Sequence, residues 1–166
     1  PQAANAGANP GPADPFLCLR QPIQRPALVH ELLHLERYWL LQVPQLKGHT
    51  ASSNNVAKIL ENPLEHLSVV PRQAFFEASE PDVWEEASLS VWRQHPWPSQ
   101  TTTARRNTAL LEWLSTCLCP GGEAERCGRA ILTKMNLLVQ AEKFKSDCLE
   151  LLSDKKGLVR RVLEEF

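Results

Sequence analysis

The sequence lacks any stretch of about 18 apolar residues, so a membrane-spanning helix is not expected. It also lacks an excess of one charge. Its 18 Lys and Arg stand against 19 Asp and Glu, a formal net charge of -1, which leaves no global basic field for nucleic acid or an anionic bilayer. G-x-x-x-x-G-K, G-x-G-x-x-G and G-x-S-x-G are all missing, so a phosphate cradle and a serine nucleophile have no support. An even cysteine count is missing too. The five cysteines, Cys18, Cys117, Cys119, Cys127 and Cys148, are expected to be reduced and mostly buried thiols in a cytoplasmic protein, not a disulfide framework. The chain opens at Pro1 with no basic-then-apolar leader, so no signal peptide is expected in these residues. Strand signals are scarce, with no alternating run of Val, Ile and aromatics.

What is present is a chain of 166 residues, 43% hydrophobic and 22% charged, long enough to bury a core without covalent staples. Residues 1–15, rich in Ala, Gly, Asn and Pro, hold too little bulky apolar surface to offset their ordering entropy and read as a disordered tail. Residues 16–23 offer at most a short edge strand, interrupted by Pro22. The rest is periodic at helical spacing. Helices are expected at about 26–42 (apolar face Leu28, Leu32, Leu35 and Trp39), 53–67, 82–94, 104–118, 123–139, 142–152 and 156–165. Pro63 is expected to kink or split the second, and Pro71 to stop it. The fold class is thus mostly α. A single compact helical domain is expected over 16–166, with residues 16–95 carrying the chemistry and residues 102–166 acting as a helical scaffold. The short basic clusters Arg105-Arg106, Lys155-Lys156 and Arg160-Arg161 read as solvated faces. Cys117, Cys119 and Cys127 lack the paired C-x2-C spacing of a structural zinc site.

One motif points to chemistry. His30-Glu31-Leu32-Leu33-His34 is an H-E-x-x-H on a segment that is helical on independent grounds. Side chains at i and i+4 share a helix face, so both imidazoles can reach one ion. Glu31 is placed to hold and deprotonate a water at the ion's open position. The flanking residues in PALVHELLHL are apolar on both sides, as a metal helix set in a core requires.

This stretch resembles the active-site helix of the zincin metallopeptidases, and its length suits a small gluzincin-like or ImmA/IrrE-like domain. Glu36 departs from that family's extended pattern, which favours an apolar residue there. The resemblance spans Pro26 to Leu67. It implies a zinc ion bound by His30, His34 and a third ligand on the following helix, with Glu31 as general base and a peptide or protein as substrate. That third ligand is expected to be Glu65, with Glu61 and His66 as alternatives and Asn62 or His66 orienting an imidazole. The residues themselves also allow Asn62-Pro63-Leu64-Glu65 to be a helix start with a capping box. A different reading keeps the helices and dispenses with turnover: an all-α protein-interaction module, or a regulatory module that holds zinc.

Overall fold

Pro26 at the first turn and the apolar run after it start α1, Arg25–Leu35, in the computed structural model, which describes residues 22, 24–76, 81–94, 96–97 and 102–166. The edge strand expected near 16–23, the tail at 1–15 and Cys18 lie outside the described residues, save Pro22. Among the described residues there is no strand, and the mostly α class holds. The helix does not end at Leu35. It widens into a π-helical turn, Glu36–Leu40, a geometry with one extra residue in the turn that shifts the side chains after it around the axis. The face that α1 turns to its neighbour differs from the one expected. Leu33 is buried and Leu32 is half exposed, so His30, Leu33, His34 and Arg37 line the packed side.

Thr50 starts α2, Ala51–Gln73, through a reciprocal capping box with Ser53. This helix corrects the expected stop at Pro71 and the expected split at Pro63: both prolines sit inside one helix. An interior proline costs about 3 kcal/mol. The buried ridge of Leu60, Leu64, Leu67 and Val70 outweighs that, since each such side chain contributes about 1.5–3 kcal/mol on burial. Ile59, whose carbonyl loses its donor to Pro63, is 65% exposed, where water can serve instead. Pro71 falls in the last turn. Residues 62–65 are therefore mid-helix, and the alternative of a helix start capped by Asn62 is not realised.

The chain folds as two compact units, divided between residues 80 and 81. The first contains α1, the π turn and α2. The second contains α3 (Pro81–Gln94), α4 (Thr103–Ser115) with a 3-10 turn at Thr116–Leu118, α5 (Glu123–Lys134), α6 (Leu138–Glu150) and α7 (Lys155–Glu165). The helix at 81–94 thus packs with the C-terminal helices, mainly on α5, while α4 packs mainly on α6. The expected helix 123–139 ends early. Asn136 takes a left-handed φ of 55°, and the Leu137 N–H returns to the Leu132 carbonyl at 2.9 Å, closing α5.

The core of this unit is Trp92, Trp113, Phe144, Leu110, Leu114, Leu132, Leu158 and Val162. Leu149, near the end of α6, is exposed. Gly128 lets α3 approach α5, because a Cβ there would lie 2.8 Å from the Trp92 indole. The indole N–H of Trp97 donates to the Trp92 carbonyl at 3.0 Å and covers the end of α3. The basic clusters do more than meet solvent. Arg106 pairs with Glu165, and Arg161 reaches both Asp147 and Glu165, so α7 is tied to α4 and α6.

The N-terminus of α5 has only Gly122 as its cap residue. Its cap comes from α3: the Glu85 carboxylate accepts the Ala124 N–H at 2.8 Å. Burial acts to raise this carboxyl. Hydrogen bonds from Ala124, the Cys119 thiol and Glu123, with the Arg126 charge, overcome that and hold it below the usual carboxylate range. Glu85→Ala is expected to cost about 1–2 kcal/mol, the value of a lost cap. Urea titration of the full chain measures this.

Candidate metal centre

The first unit gathers three imidazoles where α1 meets α2. His30 and His34 extend from one face of α1, and His66 faces them from α2. One ring nitrogen from each lies within 4.8 Å of the others. The His30 and His34 Nε2 atoms are 3.2 Å apart. Metal–nitrogen bonds of about 2.0–2.1 Å in a tetrahedral site place neighbouring nitrogens about 3.3–3.4 Å apart, so this pair already has close to the spacing of one edge of such a shell. Without an ion, the same distance suits a hydrogen bond from His34 to His30. All three rings are half-buried.

His30 is oriented by a residue that the sequence did not single out. Gln73 is 1% exposed, and its Nε2 donates to the Pro26 carbonyl at 3.1 Å. Its Oε1 is therefore the acceptor for His30 Nδ1–H, at 2.8 Å. That bond fixes the tautomer and turns the His30 Nε2 lone pair toward the other two rings, the arrangement that outer-sphere partners of metal histidines provide. His66 is pushed down to about 3 by burial first and then by its two histidine neighbours, against an opposing pull from Glu65. A neutral imidazole is the form that binds a metal.

The structure brings His66, not Glu65, to the two histidines. Glu65 is fully buried and engaged by Arg37, whose Nε donates at 2.6 Å and whose Nη2 donates at 3.4 Å. The π turn delivers Arg37 to this position, and adjacent residues of α2 point about 100° apart, so Glu65 meets Arg37 while His66 meets the histidines. Glu61 is also engaged: it accepts from the Tyr38 hydroxyl and from the Leu46 N–H, both at 3.1 Å. Asn62 is exposed. Glu31 is half-buried, and burial pushes its carboxyl up to about 7. A carboxylate with that proton affinity is matched to general-base work near neutrality.

The four described thiols of the second unit form no such group. Cys117, Cys119, Cys127 and Cys148 are free, and burial pushes both Cys119 and Cys148 up to about 12. Among the described residues, the three histidines are the group whose ligand atoms converge. Among the described residues, no helix is long and apolar enough to cross a membrane.

Comparison with known proteins adds no constraint: no family model, no curated protein and no solved structure matches this chain.

Proposed function

We propose that the first unit binds a zinc ion through His30, His34 and His66, and that with Glu31 it forms a hydrolytic centre acting on peptide or related amide bonds. The observation that carries this reading is the convergence of three imidazole nitrogens from two helices, one of them locked in the ligand tautomer by a buried glutamine. An all-imidazole donor set suits zinc, as it suits copper, iron and nickel, and does not suit the harder magnesium and calcium ions. Three protein ligands leave a fourth position open, as catalytic zinc sites do, whereas structural sites fill all four. A zinc ion bound there supplies a Lewis acid and a water acidified toward neutral pH. The chain's own contribution is distributed. The three histidines hold, Gln73 orients His30, and Glu31 takes up a proton at its carboxylate. The amide substrate is the part of this reading that rests on the resemblance of the HELLH helix to zincins.

A second reading is favoured by two observations. The first unit offers no strand among its described residues, so no sheet edge among them is available to an extended peptide. In the second unit, helices two apart in the chain pack on each other, α3 on α5 and α4 on α6, the layering of stacked helix pairs that serve as binding scaffolds. A zinc-holding interaction protein without turnover would have both features.

Zinc competition against a chromophoric chelator tests the shared part of the two readings. Wild-type protein is expected to bind zinc, and Gln73→Met to bind it about 10- to 100-fold more weakly, the usual loss for an outer-sphere partner. Equal affinities would remove Gln73 from the account, and no binding by either protein would remove the metal.

A further inference from the structure

His34 has an aromatic neighbour besides the other two imidazoles. The Tyr38 ring lies nearly parallel to the His34 ring, at an interplanar angle of 16° with centroids 5.9 Å apart. His30 and His66 approach His34 differently, edge-on at 76° and tilted at 47°. Parallel, offset rings at this separation are within the attractive range for aromatic pairs. Tyr38 is the only tyrosine in the sequence, and its location is set from three directions. It belongs to the π turn, which directly continues the helix bearing His34. Its hydroxyl donates to Glu61 of α2 at 3.1 Å. Glu61 is in turn fixed by the Leu46 N–H at 3.1 Å, which anchors the segment between the π turn and α2. Burial, then the charges of Glu65 and Glu61, raise the Tyr38 hydroxyl well above its ordinary range, so it stays a donor.

In a regular α-helix, residues at i and i+4 already neighbour each other. The π turn adds a constraint, because Tyr38 is also bonded across to α2. A flat ring hydrogen-bonded at its far end and stacked on the imidazole opposes rotation of the imidazole about its χ2 axis. We propose that Tyr38 is a positioning residue of the metal centre, holding the His34 imidazole in its ligand orientation by ring stacking. This rests on the metal-centre reading above. It deepens that reading by giving each α1 histidine its own outer partner: an amide hydrogen bond for His30 and an aromatic face for His34.

Cobalt(II), added as the chloride to the full chain, reports on ligand geometry through its visible d–d absorption. Three proteins are compared: wild type, Tyr38→Phe and Tyr38→Leu. Tyr38→Phe keeps the flat face and loses only the hydroxyl bond to Glu61, so it is expected to retain the wild-type band shape and to lose less affinity than Tyr38→Leu. Tyr38→Leu removes the face and is expected to bind cobalt about 10- to 100-fold more weakly, the range for outer-sphere partners, with an altered band shape in the saturated protein. A purely structural role would lower the melting temperature of the metal-free protein and leave the saturated spectrum unchanged. The proposal is overturned if saturated Tyr38→Leu has the wild-type spectrum and affinity. It is also overturned if Tyr38→Phe, which preserves the packing and guards against a leucine variant that fails to fold, loses as much affinity as an outer-sphere partner is worth. Wild-type protein that binds no cobalt would instead overturn the metal centre itself.

Discussion

Replacing His34 by alanine is expected to weaken zinc binding by about 100-fold or more, since losing a mere outer-sphere partner already costs 10- to 100-fold. His66→Ala is expected to do the same. Glu65→Gln, by contrast, is expected to change zinc affinity little and to weaken the fold instead, because the fully buried Glu65 is held by Arg37 and altering one member of a buried ion pair leaves the other uncompensated. The comparison therefore separates the ligand that the structure favours from the one that family resemblance implies. Stability follows the same pattern. An ion held by α1 and α2 together binds the folded first unit, so zinc at about 100 times its dissociation constant adds about 2.7 kcal/mol to the stability of that unit. Thermal scans with and without a chelator should show this for wild type and not for His34→Ala or His66→Ala. Tight zinc binding by His66→Ala together with its loss in Glu65→Gln would restore the carboxylate as third ligand.

Glu31→Gln is expected to retain zinc and to lower hydrolysis of a peptide library by about 100- to 10,000-fold, the usual contribution of a general base. The amide fills the same space and cannot accept the water's proton. Burial pushes the half-buried Glu31 carboxyl up to about 7, so its carboxylate takes up a proton more readily than an exposed one does. Zinc affinity measured alongside guards the interpretation: loss of hydrolysis counts for the base only while the metal stays bound. Wild-type protein that binds zinc and hydrolyses nothing would support the zinc-holding interaction module.

The helical class and the pairing of His30 with His34 were legible because both depend on local periodicity. Apolar residues every three or four positions, and two histidines one turn apart, need no knowledge of tertiary contacts. What escaped the sequence depends on a non-local or irregular feature. The π turn at Glu36–Leu40 has no composition signal, yet it decides that Arg37 meets Glu65 and that Tyr38 meets both His34 and Glu61. Pro63 and Pro71 carry a strong local stop signal, and the buried leucine ridge of α2 overrides it. That override carries the helix on to Gln73, 43 residues from the histidine it orients. With α2 ended before Pro71, Gln73 would not be on the helix at all. In the second unit, the early end of α5 rests on the left-handed backbone of one asparagine, a conformation that Asn permits but does not dictate.

The most direct measurement is the zinc content of the full chain after dialysis against buffered free zinc, read by elemental analysis beside a variant with His30, His34 and His66 all changed to alanine. One zinc per wild-type chain and none in the triple variant is the expected result. Zinc absent from both, or present equally in both, would contradict it.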